Sequence, residues 1–136
     1  MQLTEQETTV IKDLQTQEKT CVEKYRFYEA SANDSQLKDL FHRIGKEVPN
    51  VQAAETGPQG FQPTATYSAD DNSEEKMHDQ FLCTDSIATE KLVSSTYNND
   101  LFQFAATNVR KLLNHIQTEE QNHAEMIYKY KTANGM

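Results

Sequence analysis

Glu120 and His123 stand three residues apart in a stretch of helical period, which places both side chains on one helix face. Glu18 and Glu90 fall on apolar stripes elsewhere in the chain, so all four residues are expected to face a core. Hard carboxylate oxygens with an imidazole suit iron, manganese or zinc. Buried and unpaired, three carboxylates would each cost several kcal/mol, so they cannot all stay ionised and bare. Three resolutions are open. One divalent cation could neutralise the group with His123 as a neutral ligand. Protonation of one or two glutamates could do so, with hydrogen bonds from Tyr25 or Tyr97. Water could enter the middle of the structure.

The rest of the chain offers less chemistry. His42, His78 and His115 lie beside or outside the apolar stripes and are expected at the surface, as are Glu47 and Glu119 on the flanks. Cys21 and Cys83 make no CxxC spacing and no disulfide framework, and read as small apolar filler. The sequence has no nucleophile–base pair and no phosphate-cradling glycine loop.

Four helices must position these residues. The first runs from about 4 to 33, with Val10, Leu14, Glu18, Cys21, Tyr25, Tyr28 and Ala32 on its stripe. Asn33-Asp34-Ser35 breaks and recaps the chain. The second helix, about 36 to 54, carries Leu37, Phe41, Ile44, Val48 and Val51, with Pro49 expected to kink it. From 55 to 74 the glycines, prolines and polar residues read as a long loop, pinned by Phe61 and Tyr67. The third helix, about 75 to 104, has Leu82, Ser86, Glu90, Val93, Tyr97 and Phe104 in register. After a second break and cap at Ala106-Thr107 comes the fourth, about 108 to 132, with Val109, Leu113, Ile116, Glu120, His123, Ile127 and Tyr130. Asn134-Gly135 is a favourable helix stop.

Two hairpins with short turns (about 4–54 and 75–132) and one long crossover (about 55–74) give an all-α, ferritin-like four-helix bundle forming a single domain over 1–136. An offset of 72 residues superimposes the hairpins without a gap. It pairs Asp13 with Asp85, Glu18 with Glu90, Lys19 with Lys91, Tyr25 with Tyr97, Leu40 with Leu112, Ile44 with Ile116, Glu47 with Glu119 and Asn50 with Asn122. An internal duplication and a pseudo-two-fold bundle follow. Di-iron bundles of this type take one Glu from each of two helices and Glu-x-x-His from each of two others. Here the offset sets Val48 against Glu120 and Val51 against His123, so the first hairpin lacks its share and two-metal oxidase chemistry is not expected.

The net charge is −8 with a pI near 4.9, which argues against nucleic acid or an anionic membrane as partner. No apolar run approaches membrane-spanning length, and the polar, acidic start lacks the pattern of a signal peptide, so a cytoplasmic protein is expected. Four helices of this size are not expected to bury all of Phe27, Phe61, Tyr67, Phe81, Phe102 and Tyr128, and leftover apolar surface predicts a symmetric homodimer.

The stretch Leu112-Leu113-Asn114-His115-Ile116-Gln117-Thr118-Glu119-Glu120-Gln121-Asn122-His123, with Ile127-Tyr128 after it, resembles the spore coat protein F family. Cys83-Thr84-Asp85, Thr89-Glu90-Lys91 and the earlier Gln17-Glu18-Lys19 with Tyr25 are similar to it as well. The resemblance implies a ferritin-like bundle from a spore-forming bacterium, made in the cytoplasm and assembled into or associated with the spore coat, with other coat proteins as partners. Members often keep Glu-x-x-His in both hairpins, and this chain departs there at Val48, Pro49 and Val51.

The first reading is a non-catalytic structural or coat-associated protein with a degenerate di-metal site and no cofactor. A second is a redox or metal-storage protein holding one iron, manganese or zinc ion at Glu18, Glu90, Glu120 and His123. A third is a cytoplasmic helical module that presents one face to a protein partner.

Overall fold

A computed structural model describes residues 2–48 and 60–136. Its regular elements are α1 (Glu5–Ser31), α2 (Ser35–Glu47), α3 (Glu74–Asp100) and α4 (Thr107–Ala133), with a 3-10 turn at Leu101–Gln103. No strand occurs among the described residues.

Local chemistry sets most of these boundaries. Thr4 and Glu7 form a capping box at the start of α1: the Glu7 amide donates to Thr4 Oγ1 at 3.1 Å, and the Thr4 amide donates to Glu7 Oε2 at 2.9 Å. Asp34 caps α2 by accepting from the Gln36 amide, and Ser73 caps α3 by accepting from the Lys76 amide. The expected cap at Ala106-Thr107 takes another form. Thr107 is the first helical residue, and its N-cap Ala106 has no side chain able to accept. Arg110 instead donates to the carbonyls of Phe104 and Ala105 at 2.8 and 2.7 Å, which holds the turn from the other side.

One further boundary differs from expectation. The third helix ends its α geometry at Asp100 and tightens into the 3-10 turn, rather than running regularly to 104. The second helix is described as far as Glu47, with Val48 as its cap; Pro49 and Val51 lie outside the described residues.

The stripes face inward as their spacing requires. Leu37, Phe41, Ile44 and Ile127 are completely buried, with Tyr25, Tyr28, Leu82 and Tyr97 nearly so. Tyr25, Tyr28 and Phe41 pack as an aromatic trio, with ring centroids 5.2 to 6.1 Å apart. Beside them α1 and α2 approach closely at Gly45, where an added Cβ would come within 3.2 Å of Tyr25 Cβ. No helix among the described residues is long and apolar enough to cross a membrane.

Polar rungs fix the directions of the helices. Along α1 and α3, Gln6 meets Gln103, Glu18 meets Tyr97, Tyr25 meets Glu90, and Asn33 meets Asp79. Numbers rise along one helix as they fall along the other, so the two are antiparallel. The start of α2 also comes to Asp79, whose Oδ2 accepts from the Asp34 amide at 2.9 Å. Tyr130, near the end of α4, donates to Asp34 Oδ2 at 2.6 Å. The starts of α2 and α3 and the end of α4 therefore share one end of the molecule.

At that end the loop before α3 is tied down. Asn134, fully buried, accepts from the amides of Thr66 and Tyr67 at 2.7 and 2.9 Å. Tyr67 donates its hydroxyl to Asp79, and Lys76 donates to the carbonyls of Ser68 and Ala69. Gly135 follows with φ of +66°, and a side chain there would collide with the Ala69 backbone at 2.7 Å. Tyr67 thus pins the loop by a hydrogen bond, while Phe61 does so by packing on the core.

Candidate functional site

At mid-height, polar side chains from all four helices converge. Glu18 comes from α1, Glu90 from α3, and Glu119, Glu120 and His123 from α4; with Val48 they line a cavity of about 20 Å³. That volume accommodates about one water molecule. A second, open groove of about 390 Å³ runs between α3 and α4, lined by Lys91, Ser94, Gln117 and Gln121, and shares Glu90 and Glu120 with the cavity.

Two of the carboxylates are held reciprocally. Tyr25 donates to Glu90, and Tyr97 donates to Glu18. These pairs are related by the 72-residue offset, so each tyrosine serves the glutamate of the other hairpin. A second such pair stands nearer the ends: the Asn33 amide donates to Asp79, and the Ala105 amide donates to Glu7.

The remaining members are less evenly partnered. Glu120 is 6% exposed, and its Oε2 has no hydrogen-bond partner. Burial, reinforced by the charges of Glu90 and Glu18, pushes its carboxyl up to about 9, so it holds a proton at neutral pH. Burial and the same like-charge neighbourhood raise Glu18 as well, against the Tyr97 bond. For His123 burial favours the neutral ring, but the carboxylates of Glu47 and Glu90 outweigh it and raise the imidazole to about 9. His123 Nε2 lies 3.1 Å from Glu47 Oε2. Its Nδ1 lies 3.5 Å from Glu90 Oε1, an ion-pair contact without hydrogen-bond geometry. Glu47 also accepts from Arg43 Nε at 3.0 Å. Burial would raise its carboxyl, but His123 and Arg43 together hold it below the usual range. Cys21 lines the same cavity, and burial pushes its thiol up to about 12. Both cysteines are buried and free.

The four residues singled out by spacing therefore share one cavity wall. Among the described residues, however, the group whose ligand atoms come close enough together to hold a metal ion is a different set. Ligand atoms of Glu47, Glu119 and His123 all lie within 4.8 Å of one another. Glu47 and Glu119, expected on solvated flanks, are only partly exposed, and Glu47 bonds directly to the buried histidine. The signal for them was the identity of the two residues across the offset; stripe position alone missed it. His42, His78 and His115 are exposed, as expected.

The two-metal ligand set of ferritin-like bundles does not fit these residues. Val48, at the end of α2, is the residue that α2 contributes to the cavity wall, and it is buried there. An aliphatic side chain offers no ligand atom.

The part of the chain that carries Glu90, Glu119, Glu120 and His123 is also the part with a recognisable relationship. Residues 78–136, from the first turns of α3 to the last residue, match the family model of the Coat F domain. Over these residues the chain is similar to that family. No curated protein and no solved structure matches the chain.

Proposed function

We propose that this protein is a non-catalytic structural component associated with the spore coat, built as one ferritin-like four-helix bundle from two duplicated hairpins. The Coat F match over residues 78–136 carries the reading. The meeting of the starts of α2 and α3 at Asp79 supports the single-crossover plan, because the intervening chain must then return along the bundle. The reciprocal tyrosine–glutamate pairs support the duplication. In this reading the mid-height cluster is the remnant of a di-metal site, with Val48 in place of one ligand and the tyrosines satisfying two of the old ones. Fractionation of spores from the organism that makes the protein tests the assignment. The protein is expected in the material released by detergent and reductant from the coat; recovery confined to the vegetative cytosol would contradict it.

A coat component needs surfaces for self-association or for other coat proteins. Phe27, Phe81, Phe102 and Tyr128 are all at least 60% exposed, which favours a homodimer. Sedimentation should give a dimer at micromolar concentration, and Phe27→Ser or Phe81→Ser should weaken it.

A second reading, a protein that binds one iron, manganese or zinc ion in redox or storage chemistry, has Glu120 behind it. A buried carboxyl oxygen with no partner is costly, and a cation would relieve it as well as a proton does.

A further inference from the structure

We infer that the cation site of this chain lies at the seam of α2 and α4, on Glu47, Glu119 and His123, rather than on the central set Glu18, Glu90, Glu120 and His123. The inference rests on the single-ion reading and says where that ion sits. Glu119 and His123 are four residues apart on α4, a spacing that puts both on one face of a rigid helix. Glu47 reaches them from the last turn of α2, with its Oε2 already 3.1 Å from His123 Nε2. With all three ligand atoms within 4.8 Å of one another, small side-chain adjustments bring them to the roughly 2.0–2.2 Å metal–ligand distances of zinc.

Two observations turn the preference away from the centre. Glu18 and Glu90 each have an oxygen engaged by a tyrosine hydroxyl, so a central ion would have to compete with both bonds. Glu120, whose buried Oε2 has no partner, lines the same cavity as Glu119 and His123, and the cavity has room for a metal-bound water. In this arrangement Glu120 accepts from that water and is not itself a ligand. Charge also balances. Two carboxylates with a neutral imidazole match a divalent ion, which takes the place of the proton shared between His123 and Glu47. Glu47 Oε1 remains with Arg43. One imidazole and two carboxylates suit a borderline ion, and zinc binds such a set more tightly than iron(II) or manganese does.

The test is calorimetric titration of the chelator-treated full-length protein with zinc, and separately with cobalt(II) followed by its visible spectrum. Wild type is expected to bind one ion per chain. Glu119→Gln and Glu47→Gln should each weaken binding at least tenfold, whereas Glu18→Gln should change it less than threefold. Circular dichroism on each variant separates lost binding from lost folding, and Glu119→Asp, a milder change at a partly exposed position, should bind more weakly while staying folded. Binding that survives Glu119→Gln but is lost in Glu18→Gln would place the ion in the centre and overturn the inference. A thiolate charge-transfer band with cobalt would assign it to Cys21 and also overturn it. No binding by wild type would remove the single-ion reading itself.

Discussion

Among the described residues two buried polar networks stand out, and they are satisfied to different degrees. At the end of the bundle, Asp79 is fully buried yet accepts from the Asn33 and Asp34 amides and from the Tyr67 hydroxyl. Asp34 in turn accepts from Tyr130, and Asn134 uses both ends of its amide. At mid-height, by contrast, Glu120 Oε2 and His123 Nδ1 have no hydrogen-bond partner. The first network does what buried polar groups do when they are there to specify a structure: every acceptor is matched to a donor that folding would otherwise strand. The second keeps unmet capacity in a low-dielectric place, which is where protons and cations bind strongly. The end network locks the connections; the middle one has chemistry left over.

That contrast can be broken most forcefully at Asp79. Asp79→Ala strands two backbone N–H groups and a tyrosine hydroxyl at once, and is expected to cost about 3 kcal/mol or more in chemical denaturation. A loss below about 1 kcal/mol would mean that water replaces the carboxylate and that the end network is not structural. Asn134→Ala should cost less, about 2 kcal/mol, since the loop amides it serves can turn to solvent. Its signature is local: amides of Thr66 and Tyr67 should exchange faster, while core amides of α3 change little.

The middle network should respond with the opposite sense. In chelator-treated protein Glu120→Gln removes a carboxyl that is costly to ionise, so stability near neutral pH should stay the same or rise by up to about 1 kcal/mol. The pH dependence sharpens the point. Folding raises Glu120 from 4.5 and His123 from 6.5, each to about 9. A raised folded-state value means the native protein keeps a proton that the unfolded chain has released, so stability falls as pH rises. The His123 contribution is complete below 6.5 and is lost as pH climbs through about 9; the Glu120 loss has the same sign over a window that opens near 4.5. The melting temperature should therefore decline between neutral pH and about 9, and Glu120→Gln should make that decline shallower. An unchanged slope in the variant would show that Glu120 does not titrate in this window.

Much of this was readable from spacing, because helix stripes decide burial. Leu14, Tyr25, Phe41, Leu82, His123 and Tyr130 are all buried where a helical period puts them. The turn at Asn33-Asp34-Ser35 and the stop at Asn134-Gly135 follow from local capping chemistry in the same way. Long-range polar pairings are another matter. That Asp79 would serve the α1–α2 turn, or that Glu47 would reach His123, depends on how the hairpins dock, and periodicity along one helix carries no information about that. Glu47 was hidden for a further reason: it sits one residue before the stripe position Val48, where a flank in isolation becomes a seam once α4 packs beside it. Thr107 is a good capping type, but it is the first helical residue, and Ala106 at the N-cap has no side-chain acceptor for the free amides of the first turn.

The proposed reading expects no two-metal oxygen chemistry at mid-height, where Val48 on the cavity wall offers no ligand atom. Oxygen uptake on adding two equivalents of ferrous iron to chelator-treated protein tests it most directly. The expected trace matches iron in buffer without protein, with no more than one iron retained per chain. Rapid oxygen consumption well above that background, with two irons bound per chain, would contradict the account.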